Sequence, residues 1–287
     1  MEIKVFSTFT GIGCAEIALK ENGLNIINVG ISEVDRYALI AYDSIHSKKE
    51  NIEYPIKEEM IKYFKDINIA YNFSTNKSEI PKNIDEIKQL YKASKSNNNY
   101  GDIRKINPKD IPDFDLFTYS FPCKNISIIG KGDGLSKDSY TQSSLLWECE
   151  KIIKEKKPKF LQMENVKNLV SKKHINELNE WIEVLNKLGY KSTYKVLNAS
   201  NFSVPQNRER IIMISSLSEE YPDFKTGNKT VLSVENITQL DQNLNLLYKP
   251  KDYEIFNNTL IESGKLIHIG NLNGKPHANK RVYHSEG

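Results

Sequence analysis

The sequence has little cysteine, and what it has is not arranged as a disulfide framework or a zinc site. Its 287 residues contain Cys14, Cys123 and Cys149, with no paired Cys-x-x-Cys spacing. Disulfide scaffolds need dense, even-numbered cysteines, and structural zinc sites need closely spaced pairs. We therefore predict a protein of a reducing, intracellular compartment with no bound metal.

Long apolar runs and a targeting segment are also missing. No apolar stretch reaches the roughly 20 residues that a membrane-spanning helix needs. The N-terminus, MEIKVFSTFTG, lacks the basic and apolar regions of a signal peptide. These absences predict a soluble, cytoplasmic protein that does not act at membranes.

Charge of one sign is in only slight excess. Forty Lys and Arg stand against 37 Asp and Glu, a net charge of +3, which permits nucleic-acid binding without requiring it. With 39% hydrophobic residues, the chain is long enough to bury a full core. Its length favours two domains, or one large α/β domain with an appendage.

Short apolar runs alternate with helical patterns along most of the chain. IKVFS, INVGIS and DLFTYSF predict buried strands, while IGCAEIALKENG and DRYALIAYDSIHS predict helices. The same alternation returns between residues 144 and 216. It predicts an α/β fold with a doubly wound, mostly parallel sheet, which binds ligands at the carboxyl ends of its strands.

Two stretches break this alternation. Residues 47–100 are rich in Lys, Asn, Glu and Ser and carry two amphipathic helical patterns, which favours a surface insertion. From about Phe224 the periodicity fades into Asn- and Lys-rich segments punctuated by glycine. We predict a main domain at 1–223 and part of a small, irregular domain at 224–287.

Polar features follow the first predicted strands. In FTGIGCAE, Gly11 and Gly13 permit a tight turn before a helix N-terminus, which suits an anionic or zwitterionic ligand. Glu33 ends the second strand, where a carboxylate can accept hydrogen bonds from ribose hydroxyls, and Asp102 could accept from an adenine amino group. The alternatives are an ordinary turn for the glycines and helix capping or a solvated turn for the carboxylates.

Cys123 lies in FPCKNISIIGKG, residues 121–132, where an apolar run gives way to a loop that carries glycines. Free cysteine commonly behaves as a small buried hydrophobe, so a core position at a strand end is the ordinary interpretation of this thiol. The surrounding motifs have to decide whether it has another role.

Seven blocks of the sequence resemble, in order, the bacterial DNA (cytosine-5)-methyltransferases of the restriction-modification or phage type. They are FSTFTGIG (6–13), SEVD (32–35), GDI (101–103), FPCKNISIIGKGDGL (121–135), SSLLWE (143–148), MENV (163–166) and PQNRER (205–210). One block alone is a weak signal, but seven in the right order are specific. The resemblance covers the chain to about residue 215 and implies a Rossmann-like methyltransferase, followed by the start of a target-recognition domain.

The resemblance implies transfer of a methyl group from S-adenosylmethionine to C5 of a cytosine flipped out of double-stranded DNA. The Cys123 thiolate would add to C6 and give C5 carbanion character. Glu164 would contact N3, and Asn165 would orient the surrounding loop. Arg208 and Arg210 would stabilise charge on O2 of the base, although two solvated arginines remain the alternative.

The resemblance also implies which residues hold the cofactor and the DNA. The cofactor residues are Phe9, Gly11, Ile12, Gly13, Glu33, Val34, Asp102, Ile103, Pro122 and Leu145. The DNA-contacting residues are Lys124, Ser127, Lys131 and Gln206. Lys124 departs from the Gln usual in the family, and it would either lower the pKa of the adjacent thiol or contact a phosphate.

The family's last two blocks should follow ANKRVYHSEG, residues 278–287, but the sequence does not contain them. We therefore expect a complementary C-terminal polypeptide, or a truncated product, rather than full activity of this chain alone. Further alternatives are a non-catalytic DNA-binding relic and cytosine-5 methylation of tRNA. The tRNA branch typically shows a second proline before the cysteine, where this chain has Phe121.

Overall fold

A computed structural model of the chain describes residues 2–46, 51–72, 75, 77–122 and 145–223, with the backbone of 253–255, 267–272 and 281–284. The chain divides into two compact units, Met1–Val231 and Leu232–Gly287. The functional domain boundary expected after residue 223 remains a prediction.

The first unit contains eight described strands, six of which form one sheet. They are β1 (Glu2–Thr8), β2 (Asn25–Ser32), β3 (Tyr71–Asn72), β4 (Lys77–Ser78), β5 (Leu116–Tyr119), β6 (Phe160–Val166), β7 (Lys191–Asn198) and β8 (Glu209–Ser216). The large sheet has the order β2-β1-β5-β6-β8-β7, and β3 pairs with β4 in a separate two-stranded sheet. β2, β1, β5 and β6 pair in parallel, whereas β8 runs antiparallel to both of its neighbours. The mostly parallel α/β fold predicted from the sequence is confirmed.

The described part of the chain contains six α-helices between these strands. They are α1 (Cys14–Glu21), α2 (Arg36–His46), α3 (Lys57–Asp66), α4 (Ile84–Ser96), α5 (Leu146–Lys156) and α6 (Ile175–Lys187). Helix α4 begins where the Asn83 side chain accepts a hydrogen bond from the N–H of Asp85, an ordinary N-cap. None of the helices that the structure describes is both long and apolar enough to cross a membrane.

Two apolar clusters hold the described part of this unit together. The larger lies along the sheet and includes Phe117, Met163 and Trp181, all fully buried. The smaller lies among α2, α3 and α4, where Leu39 of α2 packs with residues of the insertion such as Leu90. The described part of the 47–100 segment therefore has an apolar core that it shares with α2 and the end of β2.

The second unit is described only by its backbone. Its strands β9 (Tyr253–Ile255), β10 (Ile267–Leu272) and β11 (Arg281–His284) form an antiparallel sheet in the order β11-β10-β9. The pairing of β10 with β11 shifts register between His268 and Gly270.

The strand order determines which loops can meet. β1 lies between β2 and β5, so the order reverses at β1, and ligands of such sheets bind beyond the carboxyl ends at this point. Because β8 is antiparallel to β6, its beginning lies beside the end of β6, with Arg210 opposite Val166. The end of β6 and the start of β8 therefore share an edge with the loops after β1 and β5.

Candidate active site

The loop after β1 has an unusual backbone. Phe9, Gly11 and Gly13 all have positive φ angles, of 55°, 58° and 79°. A Cβ at Gly13 would lie 2.2 Å from Nε2 of His46, so this position admits no side chain without rearrangement. A Cβ at Gly11 would meet no atom of the described residues within 4 Å. The backbone at Gly11 therefore borders open space, as a cradle for a ligand requires.

Glu33 is fixed by the backbone around it. Its Oε2 accepts from the N–H of Gly11 (2.7 Å), and its Oε1 accepts from those of Val34 and Asp35 (both 2.8 Å). Burial raises the pKa of the Glu33 carboxyl, and the three backbone donors oppose that shift only in part. A carboxylate has about four acceptor positions, so these contacts leave roughly one on Oε2, which suits a ribose hydroxyl.

Asp102 is almost completely buried and caps the short 3-10 helix Ile103–Lys105 through the N–H of Arg104 (3.1 Å). Its Oδ2 also accepts from Nη2 of Arg104 (2.7 Å) and Nδ2 of Asn68 (3.0 Å). Burial acts to raise the pKa of Asp102, but these hydrogen bonds outweigh burial and the pKa lies below its ordinary value. Both oxygens already accept hydrogen bonds, so an adenine amino group would have to share or displace one of these donors.

The apolar residues assigned to the cofactor differ in exposure. Ile103 belongs to the larger core cluster and is 4% exposed, whereas Ile12 is 43% exposed. Val34 is half-buried, and its carbonyl accepts from the N–H of Ala70 in the insertion (2.9 Å). Leu145 packs against the core at the start of α5. A ligand would therefore reach the Ile12 side chain more readily than that of Ile103.

Glu164 lies near the end of β6 and is held at both carboxylate oxygens. Its Oε2 accepts from Oγ of Ser120 (2.5 Å), and its Oε1 lies 3.0 Å from Nε of Arg210. About a third of the Glu164 side chain remains exposed. The strand ends thus combine a carboxylate with a guanidinium at a place that solvent or a substrate can reach.

Asn165 connects β6 to Phe121, which lies two residues before Cys123 in the sequence. It is 2% exposed, its Nδ2 donates to the carbonyl of Phe121 (3.2 Å), and its Oδ1 accepts from the N–H of Val166 (2.8 Å). Pro122 follows and is half-buried. Cys123, Lys124, Ser127 and Lys131 lie outside the described residues.

The two arginines assigned to the base do not have the same surroundings. Arg210 is half-buried in β8 and paired with Glu164, whereas Arg208 is exposed just before β8. The main chain of Arg208 is held by Oδ1 of Asn198 (3.2 Å) and by the N–H of Ala199 (3.0 Å). Gln206 is exposed in the same loop. The structure therefore places Arg210 with the carboxylate and Arg208 at the surface.

Sequence reasoning missed several residues that contact the assigned ones. They are Asn68 and Arg104 on Asp102, Asn99 on Glu33, and Ser120 on Glu164. The only available signal was proximity to the motifs, since Asn99 precedes GDI by two positions and Ser120 precedes FPC. In the part of the chain that the structure describes, no cluster of His, Cys, Asp and Glu could hold a metal ion.

The sequence is similar to those of known methyltransferases. Residues 74–285 match the family model of the C-5 cytosine-specific DNA methylases. The chain is 41% identical over 266 residues to the type II methyltransferase M2.ScrFI of Lactococcus lactis subsp. cremoris. The aligned region covers 91% of this chain and 73% of that protein. It is also 36% identical to the orphan methyltransferase M.SssI of Spiroplasma monobiae, and this alignment covers 90% of this chain and 68% of that protein.

Solved structures show the same fold at low identity. A variant of Spodoptera frugiperda DNMT2 matches with a TM-score of 0.51 at 16% identity, over 87% of this chain and 63% of that one. The Entamoeba histolytica methyltransferase EhMeth matches with a TM-score of 0.50 at 16% identity, over 89% and 63%. This chain thus spans less than two thirds of either solved protein.

Proposed function

The chain belongs to the family of C-5 cytosine-specific DNA methylases, and from this premise we propose that it methylates C5 of cytosine in double-stranded DNA. One observation supports this most strongly. Glu164, Arg210 and Ser120 form a hydrogen-bonded group at the strand ends, where Asn165 also holds Phe121, two residues before Cys123. Addition to a pyrimidine requires a carboxyl group, a guanidinium and a thiol; the first two lie together in the structure, and Cys123 follows Phe121 by two positions in the sequence.

In the proposed mechanism, the target cytosine leaves the base stack so that C6 and C5 become reachable. The Cys123 thiolate adds to C6, and the electrons of the C5–C6 double bond move toward C5 and N3. Glu164 contacts N3, and Arg210 beside it stabilises charge on O2. After C5 is methylated, loss of its proton restores the double bond and expels the thiolate, so the enzyme is regenerated.

Members of this family use S-adenosylmethionine, which supplies an electrophilic methyl group when bound. The residues present fit this group, because Gly11 borders open space and the Glu33 carboxylate keeps an acceptor position. We assign Glu33 to the ribose, Asp102 to the adenine amino group and the loop from Phe9 to Gly13 to the methionine portion. Val34, Ile103, Pro122 and Leu145 complete the apolar walls.

Several finer assignments belong to this proposal. Lys124, Ser127, Lys131 and Gln206 would contact DNA phosphates, and the 224–287 region would read the recognition sequence. A cytoplasmic location in a bacterium or phage-infected cell is a further expectation.

The function is tested by incubating the protein with methyl-labelled S-adenosylmethionine and unmethylated duplex DNA, with tRNA in parallel. We expect label in the DNA as 5-methylcytosine, and we expect Cys123→Ala to abolish transfer while cofactor binding is kept. Cys14→Ala is the matched control, because Cys14 is the exposed cysteine among the described residues. Transfer that survives Cys123→Ala, or label that enters only the tRNA, would contradict the proposal.

A further inference from the structure

We propose that Asn99 is a positioning residue for the cofactor site, in which one buried amide holds the ribose-contacting and adenine-contacting segments together. The inference rests on the proposed function, since it deepens the roles given there to Glu33 and Asp102. It also gives the inserted segment 47–100, in which Asn99 lies, a part in cofactor binding.

The amide of Asn99 uses both of its ends. Its Oδ1 accepts from the N–H of Glu33 (3.0 Å) and from the N–H of Gly101 (3.1 Å), while its Nδ2 donates to the carbonyl of Glu33 (3.0 Å). If the amide were rotated by 180°, Nδ2 would face these N–H groups and donors would meet donors. The contacts therefore allow only one orientation of the amide. Asn99 is 6% exposed, and buried polar groups hold their partners more firmly than exposed ones.

The Gly101 turn that Asn99 holds has little freedom of its own. Gly101 has φ 68°, and a Cβ there would lie 2.1 Å from the carbonyl oxygen of Ile67. Oγ of Ser32 donates to the Gly101 carbonyl (2.6 Å), which ties the turn to the end of β2. Asp102 follows directly, so the place of its carboxylate depends on this turn.

The insertion in turn holds Asn99. The N–H of Asn99 donates to the carbonyl of Ser94 in α4 (2.9 Å), and the hydroxyl of Tyr63 in α3 lies 3.4 Å from the Asn99 carbonyl. Oη of Tyr63 also lies 2.7 Å from Oγ of Ser94. Both inserted helices therefore fix the main chain from which the amide reaches Glu33 and Gly101.

Two variants separate the two ends of the amide. Asn99→Asp keeps the acceptor for the two N–H groups and removes the donor to the Glu33 carbonyl, whereas Asn99→Ala removes both. Asn98→Asp is the matched control, because Asn98 is adjacent and exposed and receives the same change of charge. Binding of S-adenosylhomocysteine, and of its analogue lacking both ribose hydroxyls, is measured by calorimetry beside thermal unfolding.

We expect the wild-type protein to bind S-adenosylhomocysteine about tenfold more tightly than the analogue without ribose hydroxyls, which is the equivalent of one buried hydrogen bond. Asn99→Asp should reduce that preference and Asn99→Ala should nearly abolish it, while Asn98→Asp keeps it. If both Asn99 variants lose affinity equally for the two ligands, Asn99 is merely structural and the inference is wrong. A wild-type protein that binds without any preference would instead overturn the ribose role of Glu33, and with it this inference.

Discussion

At Glu33, burial and backbone hydrogen bonds act in opposite directions on one carboxyl group. Burial disfavours the charge, while donors from Gly11, Val34 and Asp35 favour it, and the pKa ends above its ordinary value near 4.5. A raised pKa in the folded state means that the folded protein binds the proton more tightly than the unfolded chain. The resulting stabilisation is complete below the unfolded pKa and is lost as the pH rises through the folded pKa.

This balance predicts proton release when the cofactor binds. Ribose hydroxyls donate to the ionised carboxylate, so binding should lower the pKa of Glu33 and expel its proton at a pH near the raised value. Calorimetry of S-adenosylhomocysteine binding in two buffers with different ionisation enthalpies measures this release. Glu33→Gln should remove it and weaken binding by about 1 to 3 kcal/mol. Equal proton release by the wild-type protein and the variant would contradict the assignment.

At the scale of elements, the turn between β1 and α1 depends on two glycines for different reasons. Gly13 is enclosed by His46 and Tyr42, whose Cε2 would lie 2.6 Å from an added Cβ, whereas Gly11 faces open space. Both have left-handed backbones, which strain any residue with a Cβ. Gly13 is therefore required by the packing of the fold, whereas Gly11, two positions earlier, leaves space for a ligand.

We predict that alanine at Gly13 mainly affects stability, whereas alanine at Gly11 mainly affects cofactor binding. Gly13→Ala should destabilise the protein strongly, because strain and collision add. Gly11→Ala should cost only the strain of about 1 to 2 kcal/mol while it fills the space assigned to the cofactor. Urea unfolding and cofactor titration of both variants test this. A Gly11→Ala protein that binds the cofactor normally would place the ligand elsewhere.

The sequence predicted these elements well because periodicity and turn residues are local signals. The helices and strands predicted from IKVFS to DLFTYSF, and again between residues 144 and 216, lie where their patterns place them. It could not predict that β8 runs antiparallel between β6 and β7, since strand direction is set by distant pairing. Nor could it predict contacts such as Asn99 on Glu33, which join residues 66 positions apart. Asp102 illustrates a further limit: it caps a short helix, and a sequence cannot distinguish a capping carboxylate from one that binds a ligand.

At the scale of the whole first unit, stability and cofactor affinity should respond separately to its two apolar clusters. Leu90 of α4 and Leu185 of α6 are both fully buried, one in each cluster. Leu90→Ala and Leu185→Ala should each cost about 2 to 5 kcal/mol of unfolding free energy. Only Leu90→Ala should also weaken cofactor binding, because α4 anchors Asn99 through Ser94. Equal affinity losses in both variants would show that the insertion has no particular tie to the site.

The covalent step is the central claim, and duplex DNA that carries 5-fluorocytosine tests it most directly. Fluorine at C5 cannot leave as a proton does, so the thioether between the enzyme and C6 should remain after methylation. The account predicts a denaturant-resistant protein–DNA complex that requires S-adenosylmethionine, forms with the wild-type protein and Cys14→Ala, and is absent with Cys123→Ala. A complex that persists in Cys123→Ala, or a wild-type protein that methylates cytosine without ever being trapped, would contradict it.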